Sequence, residues 1–247
     1  MDGSEIAMAT WFCIPSIRPD GGSLPLWKAR GYKLAVFRDN GAPRLPFEAD
    51  IVIHDGYISY PKAVNLLIRL AAYMEPQAQW FVVAGDDIDP DPQHDPQVIA
   101  DQCTAQFNGT FGVMQPTGDR WCIDDRGTCS SERVCDSPWI GREFALRSYK
   151  GPGPFCEEYF HFFVDEELHC VATKLGVLWH RRNIFQVHHH WSREHRERPA
   201  HLHPARLDWN KSKHFFIQRK AAGFPGYEPL VAMPAGWRWM NRGYSKD

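Results

Sequence analysis

Two patterns of hydrophobic and polar positions alternate along the first part of this chain. Short apolar runs bounded by turn residues predict buried strands, and longer segments with apolar residues three or four positions apart predict helices. The order strand–helix–strand–strand–helix–strand within about 85 residues predicts a nucleotide-binding type of α/β half. Ser59 can cap the second helix, and Pro61 is tolerated in its first turn. The predicted strands are 10–14, 33–37, 51–53 and 80–84, and the predicted helices are 24–31 and 62–74.

The second part of the chain continues this alternation less regularly. Residues 116–137 are polar and rich in Gly, Cys and Asp, which predicts a loop, and residues 192–212 have little periodicity. We therefore expect a catalytic α/β domain over 1–191 and a C-terminal extension, 192–247, packed on it. The other predicted elements are helices at 97–107, 139–149, 157–176 and 215–222, a strand at 110–114, and a hairpin of 177–180 with 184–187.

Composition indicates a soluble globular protein. Of 247 residues, 43% are hydrophobic and 23% are charged, and no apolar run reaches the roughly 18 residues of a membrane span. The N-terminus has no basic segment before an apolar core, so we expect no secretory signal and a cytoplasmic location. Seven cysteines without CxxC pairs are typical of reduced thiols. The spacing of Cys122, Cys129 and Cys135 matches no usual zinc site.

Charge is distributed unevenly along the chain. The net charge of the whole chain is −2, but residues 174–246 carry fourteen Lys or Arg against four Asp or Glu, a net charge of +10. In nucleic-acid-binding proteins, cationic side chains bind the phosphates and aromatic rings stack on the bases. We therefore expect a polyanionic partner for this segment. A solvated basic face with core aromatics would have the same composition. The interleaved aromatic residues are Trp191, Trp209, Phe215, Phe216, Tyr227, Trp237, Trp239 and Tyr244.

Three carboxylates stand in four positions directly after the predicted strand 80–84. In open α/β sheets, ligands bind beyond the carboxyl ends of the strands, which is where Asp86, Asp87 and Asp89 lie. Carboxylates this close repel one another, and Mg²⁺ or Mn²⁺ with a bound phosphate would neutralise them. An acidic turn after a strand, where Asp and Pro are common, is the alternative interpretation.

Four segments of the chain, taken together in their order along the sequence, resemble motifs of the GT-A glycosyltransferases, which use nucleotide-sugar donors. The segment 87–89 resembles the DxD motif of that family, and 56–65 resembles its glycine-to-asparagine stretch before a helix. The block 163–168 resembles the acidic motif that supplies the catalytic base of inverting members, although Val164 stands where a Glu often precedes the Asp. The block 188–191 occupies the place of a C-terminal metal-binding histidine.

The resemblance implies a GT-A (Rossmann-like) fold with a mostly parallel sheet, a Mn²⁺ or Mg²⁺ cofactor and a UDP-sugar donor. The blocks 111–116 and 137–141 further resemble phage-encoded glycosyltransferases, some of which modify hydroxymethylated pyrimidines in DNA. That narrower likeness implies a hexosyltransferase with a UDP-glucose type of donor and a 5-hydroxymethylpyrimidine acceptor in DNA. For a phage-encoded enzyme the location would be the host cytoplasm.

The resemblance places metal and donor around the acidic cluster. Asp87 and Asp89 are the expected metal ligands, since alternate positions of an extended chain face one side. Asp86 is expected to hold ribose or sugar hydroxyls. Lys62, at a predicted helix start, could add a positive charge to the diphosphate or be a solvated first-turn lysine.

Residues at other positions that match the family are expected to complete the nucleotide and metal sites. Pro15, Arg18 and Asp39 lie where family members contact the nucleotide, unless they belong to surface turns. His188 and His190 share a face if the chain is extended, and we expect one or two histidines to bind the metal.

The acceptor side needs a base and a binding surface. Asp165 is the expected general base, with Glu166 as the second candidate, although Asp165 also fits the N-cap of the predicted helix. If the acceptor is a nucleobase in duplex DNA, the nucleotide would have to flip out of the duplex into the active site. Trp191, Arg193 and Arg196 are then expected to stack on it and contact phosphates, with binding that weakens steeply with salt.

Two other functions share these features. A GT-A enzyme could act on a glycan, a lipid or a protein, with the basic segment facing anionic lipid or solvent. A metal-dependent nuclease or phosphoesterase could be built from the Asp cluster and the His block. Only the transferases require a nucleotide-sugar donor.

Overall fold

The computed structural model of the protein describes residues 9–197, 199 and 203–227. The strands are β1 (Trp11–Pro15), β2 (Lys33–Asp39), β3 (Ile51–Asp55), β4 (Trp80–Val82), β5 (Ile88–Asp89), β6 (Val113–Pro116), β7 (Trp139–Gly141), β8 (Leu178–Arg181) and β9 (Val187–His188). The helices are α1 (Leu24–Ala29), α2 (Tyr60–Met74), α3 (Pro96–Phe107), α4 (Arg142–Arg147), α5 (Val164–Lys174) and α6 (His203–Ala221).

Seven of these strands form one mixed sheet in the order β3-β2-β1-β4-β7-β6-β8. β1 pairs in parallel with β2 and β4, β2 with β3, and β6 with β8, whereas β7 is antiparallel to both of its neighbours. β5 and β9 form a separate antiparallel pair. The mostly parallel sheet flanked by helices confirms the predicted α/β class and is consistent with a Rossmann-like fold.

The helix α2 packs on this sheet through the apolar face that its sequence predicts. Ala63, Leu67 and Ala71 are fully or almost fully buried, and a buried Leu side chain contributes about 1.5–3 kcal/mol to folding. Ser59 caps the helix, because its side chain accepts a hydrogen bond from the backbone N–H of Lys62. The packed layer leaves the carboxyl ends of the parallel strands β1, β2 and β4 at one edge of the sheet.

Two predicted elements are wrong in type or partner. Residues 139–149 are not one helix: 139–141 form strand β7 between β4 and β6, and the helix α4 follows. The predicted hairpin is absent from the described residues, because β8 pairs with β6 and β9 pairs with β5. A short apolar run does not show which strand it will pair with. The strand β7 and the pairing of β8 and β9 were therefore determined by the assembly of the sheets and not by the local sequence.

The last helix begins much earlier than predicted, at residue 203 instead of 215. Its buried side contains Ala205, Ser212 and Arg219, with Trp209 and Phe216 partly buried beside them. The spacing is helical, but two of the five residues are polar, which removes the hydrophobic periodicity that would have predicted the helix.

A search of the residues described above found no helix with the combination of length and apolarity required to cross a bilayer.

Candidate functional site

The acidic cluster lies in a turn that joins the main sheet to the small two-stranded sheet. β4 ends at Val82, and Asp86 and Asp87 form a turn before β5. In the β5–β9 pair, Ile88 stands opposite His188. This pairing brings the aspartates after β4 against the histidine block 188–190.

Asp86 is bound by the loop that follows β1. Its carboxylate accepts a hydrogen bond of 2.6 Å from the Ser16 hydroxyl, and the Arg18 Nε atom lies 3.3 Å from the other carboxylate oxygen. The backbone oxygen of Asp86 accepts from the Ser23 backbone N–H at 2.9 Å. A Cβ atom at Gly22, whose φ is +59°, would stand 2.1 Å from that oxygen, so the close approach requires glycine.

A buried arginine supports the same loop from the sheet side. Arg38 on β2 donates to the backbone oxygens of Ser16 at 2.8 Å and Arg18 at 3.0 Å. Two predicted nucleotide-contacting residues end the adjacent strands: Pro15 ends β1, and Asp39 ends β2, where its carboxylate accepts from the Tyr57 backbone N–H at 3.2 Å. The loop is thus held in a defined position at the carboxyl edge of the sheet.

Asp89 already has partners for both of its oxygens. One accepts from the Ser23 hydroxyl at 2.6 Å, and the other lies 2.8 Å from Nε2 of His189. The Nδ1 atom of His189 lies 2.8 Å from a carboxylate oxygen of Glu194. The hydrogen bond to Asp89, together with that to Glu194, raises the pKa of His189 above its usual range.

Asp87 faces His188 at the centre of the site. The carboxylate oxygen Oδ1 of Asp87 lies 3.5 Å from Nε2 of His188, and the other ring nitrogen of His188 is buried without a hydrogen-bond partner. Burial opposes ionisation of Asp87, but the hydrogen bond and the charge of His188, with Arg18, hold its pKa below its usual range. A Cβ atom at Gly85 would stand 2.3 Å from the same oxygen of Asp87.

The Asp87 and His188 pair fits two protein ligands of one divalent cation. Ligand atoms bonded to Mg²⁺ at about 2.1 Å stand about 3 Å apart at right angles, close to the separation found here. Among the described residues, no group of three or more His, Cys, Asp or Glu side chains is arranged so that it could hold a metal ion by itself. Mg²⁺ usually takes only one or two protein carboxylates and completes its shell with phosphate oxygens and water.

His190 lies beside the rings of two tryptophans and beside His188, whose ring centroid is 5.2 Å from its own. Its ring centroid is 4.9 Å from that of Trp121 and 4.9 Å from that of Trp191, and its Nδ1 lies 2.7 Å from the Ser192 hydroxyl. Of the two histidines predicted as ligands, the structure therefore places His188 beside Asp87 and His190 against the ring of His188 and the ring of Trp121.

Lys62 occupies the first turn of α2, as predicted, and makes no ion pair with the described residues. Its neighbour Tyr60 is buried, which raises the pKa of the Tyr60 hydroxyl, and the charges of Asp165 and Asp136 raise it further. The Tyr60 backbone N–H donates to the backbone oxygen of Phe160 at 2.9 Å, so the start of α2 lies close to the segment that leads into α5.

The acidic block 163–168 forms the beginning of α5. The N-cap is Phe163, with a left-handed φ of +72°, so the prediction that Asp165 caps the helix is wrong. Asp165 and Glu166 lie side by side in the first turn, and one carboxyl oxygen of Glu166 is buried without a hydrogen-bond partner. Burial and the adjacent Asp165 raise the pKa of Glu166 to about 10, so this pair holds a proton at neutral pH.

A third carboxyl group, Asp136, lies between the two acidic groups. Its Oδ1 accepts a hydrogen bond of 2.6 Å from the Gln115 side-chain amide. Burial raises the pKa of Asp136 to about 6; His188 opposes the shift and Asp165 adds to it. The charges of both His188, the predicted metal ligand, and Asp165, the predicted general base, thus influence the pKa of Asp136. Asp136 also lines a small cavity together with His188 and Trp121.

The residues predicted to contact nucleic acid lie next to this cavity. Arg193 is 2.6 Å from the carboxylate of Asp119 and also donates to the backbone oxygen of His188 at 3.2 Å. Arg196 is 2.6 Å from Glu194, and its side chain is 48% exposed. Both arginines are therefore partly neutralised by carboxylates of the protein itself.

Sequence reasoning missed several residues of the site. The two serines sit in the predicted loop between β1 and α1, so their place after a parallel strand could have identified them. The others depend on contacts between segments far apart in the chain and carry no local signal. The missed residues are Ser16, Ser23, Arg38, Asp119, Trp121, Asp136 and His189.

Comparison with known proteins identifies no family for this chain. No family model matches it, and no curated protein matches it. Twelve chains of solved structures match. One of them, the crystal structure of A197 from STIV, has a TM-score of 0.40 and 12% sequence identity over 73% of this chain and 85% of that chain. A likeness of this degree carries no argument about function.

Proposed function

We propose that this protein is a metal-dependent glycosyltransferase of the GT-A type. It would move a sugar from a nucleotide diphosphate sugar, of the UDP-glucose type, to an acceptor hydroxyl. The observation that carries the proposal is the pairing of β5 with β9, which brings the Asp87 carboxylate within 3.5 Å of the His188 ring at the carboxyl edge of a nucleotide-binding type of sheet. The acidic start of α5 then supplies a base on the acceptor side.

On the donor side, the chain provides a ready set of hydrogen-bonding groups. Asp86, held by Ser16 and Arg18, can accept hydrogen bonds from ribose or sugar hydroxyls. Lys62 can place a positive charge near the diphosphate. Asp87 and His188 would hold the divalent cation, which when bound stabilises the negative charge that develops on the departing diphosphate.

On the acceptor side, the chain must remove a proton from the attacking hydroxyl. The bond from the acceptor oxygen to the anomeric carbon forms as the bond from that carbon to the diphosphate breaks, and the proton goes to a carboxylate. Glu166 retains its own proton at neutral pH because its pKa is raised to about 10. Asp165 is therefore the first candidate for the general base, and Glu166 is the second.

The favoured acceptor is a 5-hydroxymethylpyrimidine in DNA. Support comes from the +10 net charge of residues 174–246 and from the aromatic rings beside the cavity, at Trp121, His190 and Trp191. Arg193 and Arg196 flank these rings, where they could meet phosphates. Trp237, Trp239 and the basic residues after 227 belong to the same prediction but lie outside the described residues.

The test is a screen of donor turnover in which the purified protein is mixed with nucleotide sugars, with Mn²⁺ or Mg²⁺, and with candidate acceptors. Release of UDP that requires both metal and hydroxymethylated DNA is the expected result. Turnover with a glycan or a peptide but not with DNA would retain the transferase and reject the DNA acceptor. Nicking of plasmid DNA with metal alone, without consumption of any donor, would overturn the proposal in favour of a nuclease.

Thermal stabilisation gives a second test that does not depend on the acceptor. UDP with Mn²⁺ is expected to raise the melting temperature of the native protein and to have no effect on Asp87→Asn. Asp125→Asn, which changes an exposed aspartate in the loop 116–137, is the matched control and should respond like the native protein.

A further inference from the structure

The C-terminal helix α6 packs directly on the first turn of α5. The ring of Phe163, which caps α5, lies 4.8 Å from the ring of Trp209 and 5.6 Å from the ring of Phe216, the latter nearly parallel at 28°. The φ of Phe163 is +72°, a conformation that side chains with a Cβ rarely adopt and that persists only where surrounding contacts hold it. These two aromatic rings of α6 supply such contacts.

A second contact joins α6 to the same turn four residues later. The buried carboxylate of Glu167 accepts hydrogen bonds from Nε of Arg219 at 2.8 Å and from Nη2 at 2.7 Å. The Tyr159 hydroxyl donates to it at 2.7 Å, and the Tyr149 hydroxyl also donates to it. Glu167 is 1% exposed and Arg219 is 7% exposed, so this bidentate pair is shielded from water.

The two contacts lie on either side of the acidic pair. Phe163 precedes Asp165 and Glu166, and Glu167 follows them, so both ends of the first turn of α5 are held by α6. We define the α6 clamp as Trp209, Phe216 and Arg219.

We propose that the α6 clamp is a positioning device for catalysis: it fixes the first turn of α5 so that Asp165 and Glu166 face the acceptor. This inference rests on the proposed function. Its physical basis is that a general base acts only within hydrogen-bond reach of the proton it removes, and a small displacement of a catalytic group costs rate. The C-terminal extension would then belong to the catalytic unit.

The expected signature of positioning is a loss of turnover without a loss of donor binding. Arg219→Lys keeps the charge but cannot form the bidentate contact, and Phe216→Leu removes the ring that supports Phe163. Each is expected to lower kcat by about 10- to 100-fold while donor KM stays within about twofold, at a temperature well below the melting temperature. Leu207→Ala, on the exposed side of the same helix, is the matched control and should leave both constants unchanged.

Combination with Asp165→Asn separates positioning from general weakening of the fold. If the clamp acts through Asp165, the losses in kcat caused by Asp165→Asn and Phe216→Leu should not multiply in the double variant. Multiplicative losses, or equal losses in kcat and in donor affinity, would overturn the proposal. If Arg219→Lys does not fold, Phe216→Leu alone decides between these results.

A readout without catalysis keeps this test distinct from that of the proposed function. Hydrogen exchange of the backbone amides of 164–168 should be faster in both clamp variants than in Leu207→Ala, while amides of α2 exchange at the native rate. If no donor is turned over by the native protein, the proposed function fails. Unchanged exchange at 164–168 would overturn the clamp itself, whatever the activity.

Discussion

The two acidic groups of the site meet opposite electrostatic environments. In the turn after β4, Asp87 is close to His188 and Arg18, and its pKa is lowered despite burial. At the start of α5, Glu166 is half-buried beside another carboxyl group, and its pKa is raised to about 10. The same chemical group is thus ionised in one place and protonated in the other at neutral pH.

This difference indicates a division of labour between the two acidic groups. Ionised carboxylates beside positive partners are suited to bind a cation or sugar hydroxyls. A half-buried carboxyl pair that holds a proton is suited to proton transfer, and sites whose environments push pKa values apart commonly divide acid and base roles in this way. Asp136, with a pKa raised to about 6, stands between the two groups.

The largest expected effects come from neutralising one member of each group. Asp87→Asn should lower donor turnover by about 10³-fold and abolish metal-dependent donor binding, because the cation loses its ionised ligand. Asp165→Asn should lower turnover by about 10²- to 10⁴-fold but retain donor and metal binding, because it removes only the base. Steady-state kinetics and donor titration by calorimetry distinguish the two results.

Glu158→Gln, an exposed carboxyl on the approach to α5, is the control for this pair of variants and should behave like the native protein. Loss of metal-dependent donor binding in Asp165→Asn would contradict the division of labour.

A smaller effect is expected on stability from Asp136→Asn. The native carboxyl group ionises near 3.8 in the unfolded chain but only at about 6 in the folded protein, so stability is lost as the pH rises through that interval. Asparagine stays neutral and can still accept the hydrogen bond from Gln115. The variant should be more stable than the native protein above about pH 6, by up to about 3 kcal/mol, and should match it below about pH 4.

Urea unfolding at an acidic and a neutral pH measures this difference. Asp125→Asn, exposed in the native fold, should show the same stability as the native protein at both pH values. A variant of Asp136 that is less stable at neutral pH would show that its charge is compensated in the fold.

A still smaller effect, on metal binding, is expected from a single methyl group beside Asp87. A Cβ atom at Gly85 would lie 2.3 Å from the Asp87 carboxylate, so Gly85→Ala should displace that carboxylate without changing any charge. We expect the Kd of Mn²⁺ in the presence of UDP to rise about tenfold, whereas Gly41→Ala, with no heavy atom within 4 Å, should leave it unchanged. Equal Kd values for the two variants would show that Asp87 does not contact the cation.

The smallest effect concerns the basic residues beside the cavity. If DNA phosphates meet Arg193, Arg193→Ala should reduce the slope of log K against log salt concentration by about 1 and weaken binding a few-fold, independent of DNA sequence. Fluorescence anisotropy of labelled DNA across a salt series measures this slope. Lys211→Ala, on an exposed part of α6, provides the comparison. An unchanged slope in Arg193→Ala would exclude this residue from the DNA surface.

The sequence alone determined the parts of this protein that depend on near neighbours. The strand and helix order of the first 85 or so residues, the Ser59 cap and the acidic turn after β4 follow from spacings of two to four positions. The class of fold and the location of Asp87 at a carboxyl edge could therefore be predicted from the printed residues.

Only the tertiary structure decided the contacts between distant segments. Asp89, predicted as a metal ligand, contacts His189, which lies 100 residues away in the chain. Three other features also depend on packing against the sheet and α5. They are the strand β7, the position of Asp136 and the early start of α6. Such contacts form because whole helices and strands pack together and bury their surfaces. The buried side of α6 includes the polar residues Ser212 and Arg219, so the sequence has no hydrophobic periodicity that would predict this helix or its contacts.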